Sequence, residues 1–458
     1  MTTDLPSGWE VAHLGDLCAP RVGKVIPAED DSRPYLSLDN IASEVGRIDG
    51  WECAGDYRSQ SVELSPGDVA YARLRPYLNK VAMADREALG SAELIVLPPP
   101  RAVTPEFVKF ALEESTGDRP RLKWSQMRHY TLAVPPLAEQ HRIVVAIEEH
   151  FSRLDAAAHA VCVAGMKIEA SRQSNLVEAL SGRLSTQNQE DEQASMLLDR
   201  IAGSNSRSKG LPSTDTLRTH ERASASLWEL PPGWTWAQLQ DFTAAEPRAI
   251  TDGPFGSNLK TAHYTTAGPR VIRLQNIGDG EFKREDAYIS SEHFESLIAH
   301  SVQPDDLIVA SLGESLPRAC LVPHWVPPAI VKADCIRVRL HPEVNPSYVN
   351  LALQDPRLRR ETAADIKGVG RPRLGLRGIR QILVPLAPRA EQDRIVEALE
   401  ARFGRLDTAS GVVSAVTLKF EAIRRAVLAK AFAGQLVPQN PDDEPASVML
   451  EGIEAGAR

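Results

Sequence analysis

Cysteine is scarce and scattered. Cys18, Cys53, Cys162, Cys320 and Cys335 are the only five in 458 residues, and no two are spaced as CxxC. Neither a disulfide framework nor a structural zinc site is expected, and a reducing cytoplasm fits. No apolar run approaches the ~20 residues needed to cross a bilayer, so no membrane partner is expected. Residues 1–6 lack the basic and apolar regions of a signal peptide. Aromatic residues make up only 5% of the chain.

Catalytic signatures are also missing. There is no GxxxxGK[ST], no HExxH and no GxSxG, and Gly368-Val369-Gly370 lacks the third glycine of a dinucleotide loop. The eleven histidines show no ligand spacing, so no metal site is expected. Asn345-Pro346-Ser347-Tyr348 resembles the Asn-Pro-Pro-Tyr motif of amino-DNA methyltransferases. It lacks the second proline, and no glycine-rich cofactor loop precedes it. A DNA-modifying enzyme is therefore the weaker alternative, and no catalytic residue is assigned.

What remains is a chain too long for one core, with 43% hydrophobic and 25% charged residues. The formal net charge of -9 argues against nucleic acid only if charge is evenly spread, and it is not. Residues 357–380 hold eight Arg or Lys against Glu361 and Asp365. Residues 119–128 hold Arg119, Arg121, Lys123 and Arg128 with no acid. Acids collect elsewhere, as in Glu190, Asp191, Glu192 and Asp442, Asp443, Glu444.

The dominant feature is an internal repeat. Leu5-Pro6-Ser7-Gly8-Trp9 recurs as Leu230-Pro231-Pro232-Gly233-Trp234, a shift of 225 (230 − 5). From Pro120 onward the shift is 252 (372 − 120) and holds without a gap. Residues 139–201 and 391–453 are identical at about 29 of 63 positions. Between these frames the halves align only loosely, and the second carries about 27 extra residues (252 − 225). A fixed frame with divergent inserts implies pseudo-twofold geometry and two unlike ligand sites.

The frame reads as a long helix over about 138–180, entered through Pro135 and Pro136 and free of proline inside. Large apolar residues fall every seven positions at Ile147, Leu154, Val161 and Ile168, and in the twin at Leu399, Leu406, Val413 and Phe420. A second seam of small residues, Ala158 and Gly165 against Ser410 and Thr417, accompanies it. Such a period predicts coiled-coil packing, with the twin helix as an antiparallel partner. About 43 residues give a rod of roughly 65 Å. Arg142 and Arg394, Arg153 and Arg405, Lys167 and Lys419, and Arg172 and Arg424 recur on the outer faces, as solvated charge or a partner surface. The expected fold class is α+β: two α/β recognition domains separated by two long helices in an antiparallel coiled coil. Expected boundaries are 1–136 and 229–387 for the domains, 137–201 and 388–458 for the spacer helices, and 202–228 for a linker.

The inserts read as short strands with a helix or two. Strands are expected near residues 69–71, 94–97, 271–274, 307–309 and 335–340. Thr104-Pro105 and Asn345-Pro346 read as helix starts. Basic residues interleave with aromatic and turn residues, a pattern suited to double-stranded DNA. Candidate DNA contacts in the first domain are Arg73, Arg75, Lys80, Arg121, Lys123 and Arg128. In the second they are Asn258, Lys260, Arg273, Lys367, Arg371, Arg373, Arg377 and Arg380. Residues shared by both copies, Arg121 with Arg373 and Arg128 with Arg380, are expected to hold phosphate or the fold. Residues unique to one insert, such as Arg73, Arg75, Asn258 and Lys260, are better placed to read bases.

These motifs resemble the specificity (S) subunits of type I restriction–modification systems. The match rests on the two L-P-x-G-W openings and the P-x-A-E-Q-x-R-I-V helix entries at Pro136 and Pro388, the second with Arg389 before Ala390. It also rests on Ala431-Phe432-Ala433-Gly434-Gln435-Leu436-Val437, followed by Glu444-Pro445-Ala446-Ser447. The resemblance spans essentially the whole chain. It implies two domains reading the halves of a split, asymmetric target and two helices acting as a ruler. It also implies two modification (methyltransferase) subunits and restriction subunits as partners. S-adenosylmethionine, ATP and magnesium would then belong to those partners. A coiled-coil scaffold without DNA readout is the main competing reading.

Overall fold

The computed structural model describes residues 5–43, 46–100, 102–114, 121–209, 227–313, 315–368 and 371–456. Arg119 and Pro120 lie outside them, as do residues 210–226 of the expected linker. The chain forms two compact units that cut across the linear order. One comprises Met1–Ala164 with Val412–Arg458, the other Gly165–Gly411.

In the first unit, strand Glu10–His13 pairs antiparallel with Thr131–Val134. A four-stranded mixed sheet runs Glu52–Cys53, Pro34–Leu36, Ala88–Ser91, Ser61–Leu64. A three-stranded antiparallel sheet places Val69–Ala72 between Val81–Met83 and Leu94–Leu97. Leu94-Ile95-Val96-Leu97 is apolar throughout because both its faces are buried. Helix Pro105–Glu114 lays Phe107, Val108, Ala111 and Leu112 into the core. Thr104 caps it by accepting from the Phe107 amide at 3.2 Å.

The second unit repeats this plan, with one longer strand, Tyr264–Ile272. Thr235–Gln238 pairs with Leu383–Leu386. Leu307–Ala310 lies between Arg318–Leu321 and Cys335–Val338. Tyr264–Ile272 joins Tyr288–Ile289 and Ala329–Val331. The strand expected at 271–274 therefore begins earlier and ends at Ile272, and Leu274–Asn276 is a 3-10 turn. Asn345 caps helix Pro346–Ala352 by accepting from the Tyr348 amide at 3.2 Å. Tyr348 is fully buried and donates its hydroxyl to Pro385 O, so the methyltransferase-like tetrapeptide serves as a helix start.

The two long helices span Leu137–Ala179 and Arg389–Phe432. Inside each unit their segments run antiparallel. In the first unit, Ile143, Ile147 and Phe151 share a core with Val427, Leu428 and Ala431. Asp155 meets Arg424 at 3.1 Å, while Glu139, earlier in its helix, accepts from Gln439, later in the chain, at 2.6 Å. In the second unit, Leu176 and Ala179 pack with Ile395, Leu399 and Phe403. There Arg172 bonds Asp407, and Glu178 pairs with the earlier Arg402 at 2.9 Å.

Ile147 and Leu399 are fully buried, whereas Leu154, Val161, Ile168, Leu406, Val413 and Phe420 are half-buried. The second seam departs from expectation. Ser410 and Thr417 face solvent, and Ala409 and Val416 are half-buried in their place. Thr417 turns its hydroxyl onto its own helix, donating to Val413 O at 3.0 Å. A further difference concerns the linker. Helix Ala194–Lys209 runs past the expected boundary at 201 into the first residues of the 202–228 linker, anchored by the buried Ala194, Leu197 and Ile201 that precede that boundary.

Candidate nucleic-acid interface

The frame motifs build the platform. Gly8 and Gly233 adopt φ of +81° and +83°, which glycine alone tolerates easily, closing the L-P-x-G-W turns. Each turn aims an indole at the acid that opens a long helix: Trp9 Nε1 donates to Glu139 at 3.0 Å, Trp234 Nε1 to Glu391 at 2.8 Å. Gln140 and Gln392, next in sequence, are fully buried and bind backbone on both sides of the joint. Burial pushes the Glu139 carboxyl up, against the pull of Trp9, Gln439 and Arg142.

The second structural layer exchanges the copies. In the first unit the Ala446 amide donates to Gly8 O at 2.9 Å; in the second the Ala194 amide donates to Gly233 O at 2.9 Å. Arg142 pairs with Asp443, and Arg394 with Asp191. Arg424 lies over Phe151 while bonding Asp155; Arg172 lies over Phe403 while bonding Asp407. The arginines, acids and rings of these pairs are displaced from their twins by 252 (394 − 142, 443 − 191, 424 − 172), and Gly8 from Gly233 by 225 (233 − 8). Each unit is therefore completed by the end of the other repeat.

Four of the eight recurring cations read as possible partner-facing charge are thus structural clasps. Arg142, Arg394, Arg172 and Arg424 hold acids or cover apolar rings. Arg153, Arg405, Lys167 and Lys419 remain exposed.

The candidate DNA contacts sort by environment. Arg121 reaches Glu93 with two bonds of 2.7 and 2.8 Å, and Arg73 lies 3.8 Å from the same carboxylate. Arg373 makes the matching contact with Asp334 at 2.6 Å. In both units the acid immediately precedes a buried strand, Leu94–Leu97 or Cys335–Val338, and the arginine opens the return segment. The shared pair Arg121 and Arg373, expected to hold phosphate or the fold, therefore ties each loop to its sheet through Glu93 and Asp334, acids that carry no local signal in the sequence. Lys80 is half-buried and donates to Leu38 O at 2.6 Å. Arg273 is half-buried, with a long 3.4 Å bond to Asp286 O.

Arg75, Lys123, Arg128, Lys260, Lys367, Arg371, Arg377 and Arg380 are exposed and form no ion pair among the described residues. Backbone bridges join Leu74 to Arg121, Leu312 to Arg373, and Lys367 to Arg373. They bring Arg73 and Arg75 to the segment carrying Lys123 and Arg128. They also bring Lys367 to the segment carrying Arg377 and Arg380, the latter on helix Leu376–Arg380. Arg128 sits hard against Gly15, where a Cβ would come within 2.9 Å of the arginine's own Cβ. Asn258 and Lys260 lie on a separate turn, which His293 holds by bonding Asn258 O at 2.9 Å. Of the dense basic stretch 357–380, Arg357 and Arg359 are consumed internally. Arg357 stacks 3.5 Å from the Trp228 ring and pairs with Asp355; Arg359 pairs with Asp279 at 2.9 Å.

Among the described residues, no group of three His, Cys, Asp or Glu side chains is placed to hold a metal ion. No helix among them is long and apolar enough to cross a membrane.

These features define a class: an internally repeated α+β protein with two recognition domains of one plan, unlike basic loops, and a paired-helix frame. Comparison with known proteins narrows it. The chain is 26% identical to the type I restriction enzyme EcoKI specificity subunit of Escherichia coli (strain K12), over 98% of this chain and 96% of the relative. It is 21% identical to the EcoAI specificity subunit of Escherichia coli, over 87% and 78%. Among solved structures, a chain from a type I R-M system matches with a TM-score of 0.62 at 19% identity, over 94% and 100%, and shows that the fold is shared. No protein-family model matches. The chain is thus similar in sequence to type I restriction enzyme specificity subunits, the family its motifs resemble.

Proposed function

We propose that this chain is the sequence-specific DNA-binding specificity subunit of a type I restriction–modification complex. Each domain reads one half of a bipartite, asymmetric target, and helix length sets the gap between the halves. The chain itself performs no chemistry. It recruits two modification subunits and restriction subunits in the cytoplasm, and S-adenosylmethionine, ATP and magnesium belong to those partners.

One observation carries this reading: the frame contacts are duplicated residue for residue, while the exposed cations, apart from Arg128 and Arg380, are not. In the first unit they gather at Arg75, Lys123 and Arg128. In the second they gather at Lys367, Arg371, Arg377 and Arg380, with Lys260 apart. A scaffold binding one kind of protein twice has no need of unlike basic surfaces on like frames. Two half-sites of different sequence require them.

The test is genome-wide mapping of methylated bases in cells carrying the modification subunit, with and without this chain. A bipartite motif with a fixed gap, present only with the chain, is expected. Methylation that is independent of the chain, or a chain that binds its partners but leaves no footprint on DNA, would overturn the proposal.

A further inference from the structure

We propose that Arg75 is the residue by which the first domain reads a guanine in its half-site, an assignment that rests on the DNA-specificity reading above. The turn over residues 73–80 presents it. Arg75 and Asn79 both adopt left-handed backbone, with φ/ψ of 52°/59° and 48°/51°. For a residue with a Cβ such as Arg75 this conformation is strained, less so for Asn79, and it persists where the surroundings enforce it.

Here they do. The buried Asn79 amide donates to Glu113 O at 2.8 Å. Pro76 is buried under the turn, and the Leu78 amide closes onto Arg75 O at 2.9 Å. Leu122 donates to Arg73 O at 2.8 Å, pinning the base of the turn to the return segment.

Charge then isolates one guanidinium. Arg73 and Arg121 share Glu93, and Lys80 is spent on Leu38 O. Arg75 is exposed and makes no ion pair among the described residues. It is flanked by Leu74 and Tyr77, which are 38% and 51% exposed, an apolar shoulder on either side of the cation. A rigid, uncompensated arginine fork suits the O6 and N7 acceptors of guanine in a major groove.

The twin turn decides between base and phosphate. Between Leu307–Ala310 and Arg318–Leu321 the second unit bridges to Arg373 in the same way, through Leu312. Its intervening residues, Ser311-Leu312-Gly313-Glu314-Ser315-Leu316-Pro317, include no Arg or Lys. A cation needed for general phosphate grip would recur there. One peculiar to a single domain is placed to discriminate.

The test compares full-length wild type, Arg75→Gly and Arg75→Lys, each with the modification subunit, by selection from a randomised duplex and by methylation mapping. Glycine adopts the left-handed turn without strain, so the fold is retained and melting temperature checks it. Guanine preference at one position of one half-site should fall about 10- to 100-fold in Arg75→Gly, the size of one bidentate contact. Lysine, lacking the fork, should restore it only in part. The other half-site and the gap should not change. An unaltered motif would sink the assignment, as would a uniform loss of affinity with a shallower salt dependence, which marks a phosphate contact. A wild-type complex with no bipartite motif would remove the underlying reading itself.

Discussion

Arg142 and Asp443 stand 301 residues apart in the chain and meet at 2.5 Å, and Arg394 and Asp191 repeat the contact with the copies exchanged. Asp443 has a side chain only 6% exposed, so losing its partner leaves a carboxylate with little solvent to turn to. Arg142→Ala is expected to lower the stability of the first unit. Thermal unfolding measures this. A double-mutant cycle with Asp443→Ala should show strong coupling, and simple additivity would contradict the pairing.

The same pair sets a pH dependence. Its hydrogen bond to Arg142 holds the Asp443 carboxyl below the usual carboxylate range. A depressed folded-state value means that the stabilisation is fully present above the unfolded value of about 3.9. It is lost as pH falls through the folded value. Melting temperatures between pH 2 and 6 should therefore diverge less between wild type and Asp443→Asn at the acid end than at pH 6.

Arg128 and Arg380 are shared by both copies, exposed, and unpaired among the described residues, the profile of phosphate-holding side chains. Neutralising either one to Ala should weaken DNA binding across all sequences and lower the salt slope by about 1. Titrations of the complex at several salt concentrations decide it. A changed sequence preference at constant slope would count against this role.

Arg373→Ala is now expected to act on both stability and binding, because the side chain anchors its loop to Asp334. An exposed pair of this kind contributes about 0.2–1 kcal/mol. Asp334→Asn should give a similar small loss of stability while leaving the cation in place. Comparing the two variants by unfolding and DNA affinity separates the anchoring role from phosphate contact.

Removing one heptad from both long helices, residues 161–167 and 413–419, shortens each by about 10 Å. At 3.4 Å per base pair the gap between half-sites should contract by about three base pairs, with both half-sites unchanged. Methylation mapping reads this directly. An unchanged gap would refute the ruler role.

Much of the architecture was legible in the chain. The heptad spacing from Ile147 and Leu399, the proline entries and the 252-residue shift marked two helices that the structure bounds at Leu137–Ala179 and Arg389–Phe432. The caps at Thr104 and Asn345 were visible because capping chemistry is local. Ser410 and Thr417 were misplaced because a seven-residue period does not say which of two adjacent positions turns inward. A two-helix pair buries so narrow a stripe that one residue decides it. The roles of Arg172 and Arg424 were hidden for another reason: nothing near either one in sequence reveals a phenyl ring or an acid more than two hundred residues away.

The sequence by itself determined the repeat, the helix lengths, the turn glycines and the positions of the cations, since each follows from spacing and local backbone preference. Only the tertiary structure decided which cations stay free. Glu93 and Asp334 claim Arg121 and Arg373, and Leu38 O claims Lys80, whereas Arg75 is held out on a strained turn with no acid to meet it among the described residues. Charge compensation depends on distance in space, and folding sets that distance independently of separation along the chain.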